Sequence, residues 1–160
     1  MLYYKKYDAL LREGLCSILN ISLSDNQWLQ ASLPVKTGGL GIRRVASLAL
    51  PAFLASAAST RDLQSSLLGN TCPDADEWVE KMDHLWCNES RTAHPDDGAS
   101  HKQSSWDRPL MLKAAAELSN VHADPYHQAR LRVTAATHAG DWLFALPVTT
   151  CGLRLDDEAV

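Results

Sequence analysis

Apolar residues recur at three- and four-residue intervals along most of this chain. That period belongs to amphipathic helices and predicts a mostly α protein. The first periodic segment runs from Tyr4 to Leu19. Tyr7, Leu11, Leu15 and Ile18 fall on one side, and Lys6, Asp8, Arg12 and Glu13 on the other. Gly14 weakens this helix by about 1 kcal/mol relative to alanine, and Asn20 reads as its stop. Ser24 and Gln27 form a Ser-x-x-Gln capping box, so a short helix is expected from Asp25 to about Ala31, burying Trp28 and Leu29. Leu33-Pro34 closes it, because a residue before proline is pushed out of the α region.

A longer helix is expected from Val45 to about Ser59, with Val45, Leu48, Ala49, Ala52, Phe53 and Ser56 on one face. Pro51 predicts a kink or a later start. Asp62 to Leu68 adds another turn or two, closed by Gly69-Asn70, and Asp74 to Cys87 reads as a helix with Trp78, Met82, Leu85 and Trp86 inward. Arg91 to Ser105 is different. It carries Pro95, Gly98 and three serines with almost no apolar residue, a composition that predicts a mobile linker. Helical patterning resumes from Trp106 to Asn120, with Pro109 placed in its first turn. Asp124-Pro125 is an N-cap and N1 pair for a helix to about His138, with Gly140 as the C-terminal cap. The expected architecture is therefore an irregular bundle of about six helices with a flexible polar linker. Residues 1–90 form a first helical region, 91–105 the linker, and 106–160 a second region that reads as truncated. All five tryptophans are expected as core anchors, since each lies in a periodic apolar pattern.

An apolar content of 46% argues against wholesale disorder. Nineteen acidic residues against fifteen Lys and Arg give a net charge of -4, so strong autonomous binding to nucleic acid is not expected. Local basic groups remain: Lys5, Lys6 and Arg12; Lys36, Arg43 and Arg44; Arg130 and Arg132. No apolar run has the length of a membrane span, and the amino terminus lacks the order of a signal peptide. The four cysteines are scattered, which is read as reduced thiols in an intracellular protein.

The densest cluster of turn signals lies between Trp28 and Arg43. Gly38-Gly39 marks a turn, and Gly41 interrupts the Leu40–Ile42 pair, as at a strand end or a close backbone approach. The segment contains no acid, histidine or cysteine. Its Pro-x-x-x-Gly-Gly-Leu-Gly-Ile-Arg block follows a tryptophan-containing helix and precedes an Ala/Leu-rich one. In this it resembles the end of the reverse transcriptase domain in LINE-type (non-LTR) retrotransposon polyproteins. The resemblance covers about Leu11 to Ser59, and returns at Asp141–Pro147 and Gly152–Val160. It implies a thumb and the region just beyond the polymerase core, where a template–primer duplex is gripped through its phosphates. Lys36, Arg43 and Arg44 are the residues here that such a role would use. In that family the catalytic aromatic-x-Asp-Asp hairpin lies upstream of the matched region, and a Cys/His cluster of some members lies downstream of it.

The chain has no assembled catalytic set. Asp96-Asp97 and Asp156-Asp157 lack the flanking strands of a two-metal carboxylate pair, and read instead as linker polarity and a helix N-terminus. Cys72, His84, Cys87 and His94 are the one metal-like group, but Cys-x-x-Cys is absent, so a small buried thiol and a surface imidazole are expected in place of a metal. There is no nucleophile elbow, and Gly38-Gly39-Leu40-Gly41 lacks the Lys-Ser/Thr end of a phosphate loop. The expectation is a protein without enzymatic activity, cofactor or metal. Two readings follow: a non-catalytic reverse transcriptase fragment that supports a duplex, or a helical protein–protein interaction module, a domesticated remnant meeting a partner through exposed apolar helix faces.

Overall fold

The computed structural model describes residues 2–69, 77–121 and 124–144. Among them are seven α-helices, two short 3-10 turns and no strand. The helices are α1 (Leu2–Leu19), α2 (Asp25–Ser32), α3 (Val45–Leu68), α4 (Glu77–Ser90), α5 (Asp97–Ser100), α6 (Gln103–Val121) and α7 (Pro125–Thr134). The 3-10 turns are Val35–Thr37 and Asp141–Phe144. The mostly α expectation holds. Residues 145–160, with the Asp156-Asp157 pair and Cys151, lie outside the described residues, as does Cys72.

Local signals set several boundaries as expected. Ser24 accepts from the Gln27 amide while the Gln27 side chain accepts from the Ser24 amide, so the capping box of α2 is complete. Asn20 ends α1 at a φ of +51°, a left-handed conformation that asparagine tolerates better than most residues. Asp124 caps α7 by accepting from the Tyr126 amide, with Pro125 at its first position.

Tertiary contacts reset the rest. In α1 the inward face is Asp8, Leu11 and Leu15, while Tyr7 and Ile18 are exposed. The cause is Asp8, placed on the polar side by its charge. Its carboxylate accepts from the Val45 amide at 2.7 Å and the Ala46 amide at 3.2 Å. It thus caps α3 from a different helix, where unpaired amides and the helix dipole both favour a negative charge. The α3 helix runs through Pro51 without ending, and absorbs the separate Asp62–Leu68 segment. Its buried residues are Pro51, Leu54 and Ala55, and Phe53 faces outward. Because α6 begins at Gln103, Pro109 lies inside it and not in its first turn. The α7 helix stops at Thr134 with Ala135 as its cap, so Gly140 is not a C-cap.

Among the described residues there are three apolar clusters. Leu54, Ala55, Trp86 and Trp106 join α3, α4 and α6. Leu15, Trp28 and Ala31 join α1 to α2. Leu33, Met111 and Leu118 join the end of α2 to α6, with Leu131 of α7 against them. Trp28, Trp86 and Trp106 are core anchors as expected, but Trp78 and Trp142 are exposed. Periodicity placed Trp78 on a helix without deciding which side another helix would cover, and Trp142 lies in the 3-10 turn Asp141–Phe144.

The 91–105 segment is polar but structured. Arg91 leaves α4 at a φ of +55°, α5 follows, and the Trp106 indole donates to the Ser100 carbonyl at 2.6 Å. Tying such a segment down takes few apolar residues when its neighbours supply the tryptophans. Asp97 sits in the first turn of α5, so the Asp96-Asp97 pair, expected as linker polarity, stands at the start of a short helix.

Candidate functional site

The glycine-rich joint after α2 is a folded-back loop. Leu33 leaves the helix in an extended conformation, Pro34 leads into the 3-10 turn, and Gly38 closes that turn at a φ of +84°. The chain then returns over the end of α2. Leu40 and Ile42 donate to the Ala31 carbonyl at 3.1 and 3.4 Å, and Gly41 donates to the Leu33 carbonyl at 2.9 Å. These bonds satisfy carbonyls that a helix end would otherwise leave open. The Gln30 amide donates to the Gly38 carbonyl and holds the loop from the other side.

The glycines of the joint answer two demands. Gly38 and Gly41 take positive φ, which costs an L-residue strain. Gly39 lies so close to the Leu33 carbonyl that a Cβ would collide with backbone. The close approach is therefore at Gly39, and Gly41 is a left-handed turn residue with no strand beside it. Gly140 is a second close approach, because a Cβ there would strike the Val35 side chain.

The three basic residues of this region are not gathered on one surface. Lys36 is exposed on the 3-10 turn and lines a groove of about 460 Å³ with Thr37, Gln128 and Arg132, between α6 and α7. Arg43 is paired with Asp107 of α6 at 2.6 Å, and both side chains are mostly covered. That pairing makes it a tie between the joint and α6. Arg44 stands at the N-cap position of α3 and lines a second groove, of about 720 Å³, with Lys5 and Lys113. Apolar side chains dominate this second groove, among them Tyr4, Phe53, Trp78, Met82 and Leu85. Sequence adjacency grouped Arg43 with Arg44. Just before α3 begins, Arg43 reaches Asp107 while Arg44 lines the groove beside Lys5 and Lys113.

A further constellation lies between α4 and the segment after it. Asp83 and Cys87 are one helical turn apart on α4, and His94 meets both from the returning chain. The His94 Nε2 atom is 2.9 and 2.8 Å from the two Asp83 oxygens, and 3.2 Å from the Cys87 sulfur. The imidazole stacks on the Trp86 indole, with ring centroids 6.0 Å apart, and meets Trp106 edge-on. Partial burial, and then the neighbouring Asp83 carboxylate, push the Cys87 thiol above its ordinary range.

Of the residues grouped from the sequence, Cys87 and His94 belong to this constellation and His84 does not, while Cys72 lies outside the described residues. The sequence pattern of thiols and imidazoles leaves out Asp83. Its position one turn before Cys87 was the available signal. The arrangement is not a nucleophile–histidine–acid relay. A relay uses one ring nitrogen for the nucleophile and the other for the acid. Here thiol and carboxylate converge on the same nitrogen.

Comparison of the chain with protein-family models, curated proteins and solved structures returns no match.

Proposed function

We propose that this chain is the thumb and the region just beyond the polymerase core of a LINE-type reverse transcriptase polyprotein, and that it supports a template–primer duplex without catalysing synthesis. The observation that carries this reading is the joint itself. Within the residues of the resemblance, Gly38 to Arg43 form one built unit in which every glycine has a geometric reason and Arg43 ties the loop to α6. Lys36, at the exposed tip, and Arg132 across the same groove are the side chains that would meet phosphate, with Arg44 and Lys5 along the neighbouring groove.

Few phosphates would be neutralised, so binding should be weak and steeply salt-dependent. The test is fluorescence anisotropy with a labelled primer–template duplex at low salt. Replacing Lys36 and Arg132 by Ala together should lower the salt slope by about two contacts, because each phosphate contact contributes about 0.9. Arg43→Ala is a poor probe of phosphate contact, since it breaks the Asp107 pair. No binding at low salt refutes the duplex role.

The alternative, a helical protein-interaction module, is favoured by the apolar groove that Phe53, Trp78 and Leu85 line while 40%, 66% and 42% exposed. For a second copy of this chain as partner, the solution mass should rise with concentration in the absence of nucleic acid. Phe53→Glu should return it to the monomer value. A mass that detergent alone collapses marks nonspecific association.

A further inference from the structure

We infer that Asp83, Cys87 and His94 form a binding site for one divalent transition metal, of the zinc type, that clamps the polar segment after α4 onto that helix. The inference is independent of the duplex reading. Its first support is convergence. One thiol, one imidazole nitrogen and one carboxylate, from two separate stretches of chain, lie within 4.8 Å of one another. A tetrahedral zinc ion with bonds of about 2.0–2.3 Å sets its ligand atoms roughly 3.3–3.6 Å apart. The observed separations of 3.2 Å for sulfur to nitrogen and 2.8 Å for nitrogen to oxygen need open by only a few tenths of an ångström.

The second support is the donor set. Calcium and magnesium take oxygen ligands throughout, whereas sulfur with nitrogen and one carboxylate suits zinc or cobalt. The third is orientation. The imidazole aims Nε2 at the other two donors, and its ring is fixed by stacking on the fully buried Trp86. The fourth is access. The His94 and Asp83 side chains are 53% and 30% exposed, so a fourth position faces solvent. Three protein ligands with one open position is the arrangement of zinc sites that exchange a water.

Geometry also explains why the spacing hides the site. Asp83 and Cys87 share a helix face at i and i+4. His94 reaches them because Arg91 turns left-handed and sends the next residues back along α4. No Cys-x-x-Cys is needed when a helix supplies two ligands and a return loop the third.

The experiment is cobalt titration of the whole chain, reduced and free of chelator. Expected are one cobalt per chain, the intense visible bands of a tetrahedral ion and a near-ultraviolet thiolate-to-cobalt band, all abolished by added zinc. Cys87→Ser should remove the thiolate band, while Cys16→Ser should leave the spectrum unchanged. Asp83→Asn and His94→Gln should each weaken cobalt binding by more than the about 10–100-fold that loss of an outer-shell partner costs. Circular dichroism of the metal-free variants should match the parent, separating loss of a ligand from loss of fold. A weak octahedral spectrum without a thiolate band overturns the proposal, and so does a thiolate band that survives Cys87→Ser.

Discussion

The Trp86–Trp106 centre and the glycine joint hold their parts of the chain by opposite means. At the centre, side chains do the fixing. Trp86 is fully buried among α3, α4 and α6, its ring meets Trp106 edge-on with centroids 5.0 Å apart, and its indole donates to the Trp106 carbonyl at 2.8 Å. At the joint the absence of side chains does the fixing. Three glycines let the backbone turn left-handed and pass against Leu33, and amides replace side chains as the contacts. The first region should tolerate small backbone shifts but not loss of volume. The second should tolerate changes of neighbouring side chains but not the addition of a methyl.

The largest expected effect tests the first half of that contrast. Trp86→Ala removes a fully buried aromatic and its hydrogen bond, and should cost about 3–5 kcal/mol in urea-induced unfolding. Because Trp86 also supports the His94 ring, the loss should loosen the 91–100 segment, seen as faster amide exchange there. A loss below about 1 kcal/mol would mean that the three-helix centre is not the main store of stability.

The second half is tested by Gly39→Ala. One methyl is added where the Leu33 carbonyl already stands, so the loop must lift off α2. The expected cost is about 1–3 kcal/mol, typical of forced overpacking. Its signature is local: the amides of Leu40, Gly41 and Ile42 should exchange faster while those of α4 keep their protection. Equal loss of protection in both regions would join what this comparison separates.

How far the sequence discloses each region follows the same division. Local signals act between near neighbours, so they survive without tertiary knowledge. The Ser24–Gln27 box, the Asn20 stop and the Asp124 cap all lie where the pattern put them. The joint was legible as a turn because glycine clusters report backbone demand directly. What the pattern could not supply was the partner across space. Asp8 looks like a solvated acid until α3 presents its amides. Trp78 and Trp86 share the periodicity of one helix, yet α3 and α6 cover only Trp86. Arg43 looks like a phosphate ligand until Asp107 is placed 2.6 Å away. The Asp83–Cys87–His94 group stayed hidden for the same reason, since its third member arrives by a turn at Arg91 that no glycine announces.

The smallest effect is the sharpest control, because it reverses sign. Gly14 lies inside α1, and a Cβ built there meets nothing within 4 Å. No positive φ is recorded at it, so alanine fits the existing backbone without strain. Gly14→Ala should therefore stabilise the protein by about 0.5–1 kcal/mol, through helix propensity and a less disordered unfolded chain. The same substitution at Gly39 should destabilise. If both lower the midpoint of unfolding, the cost at Gly39 would no longer diagnose the close approach to Leu33. Opposite signs from one methyl, at two glycines twenty-five positions apart, would assign the difference to what each backbone has beside it.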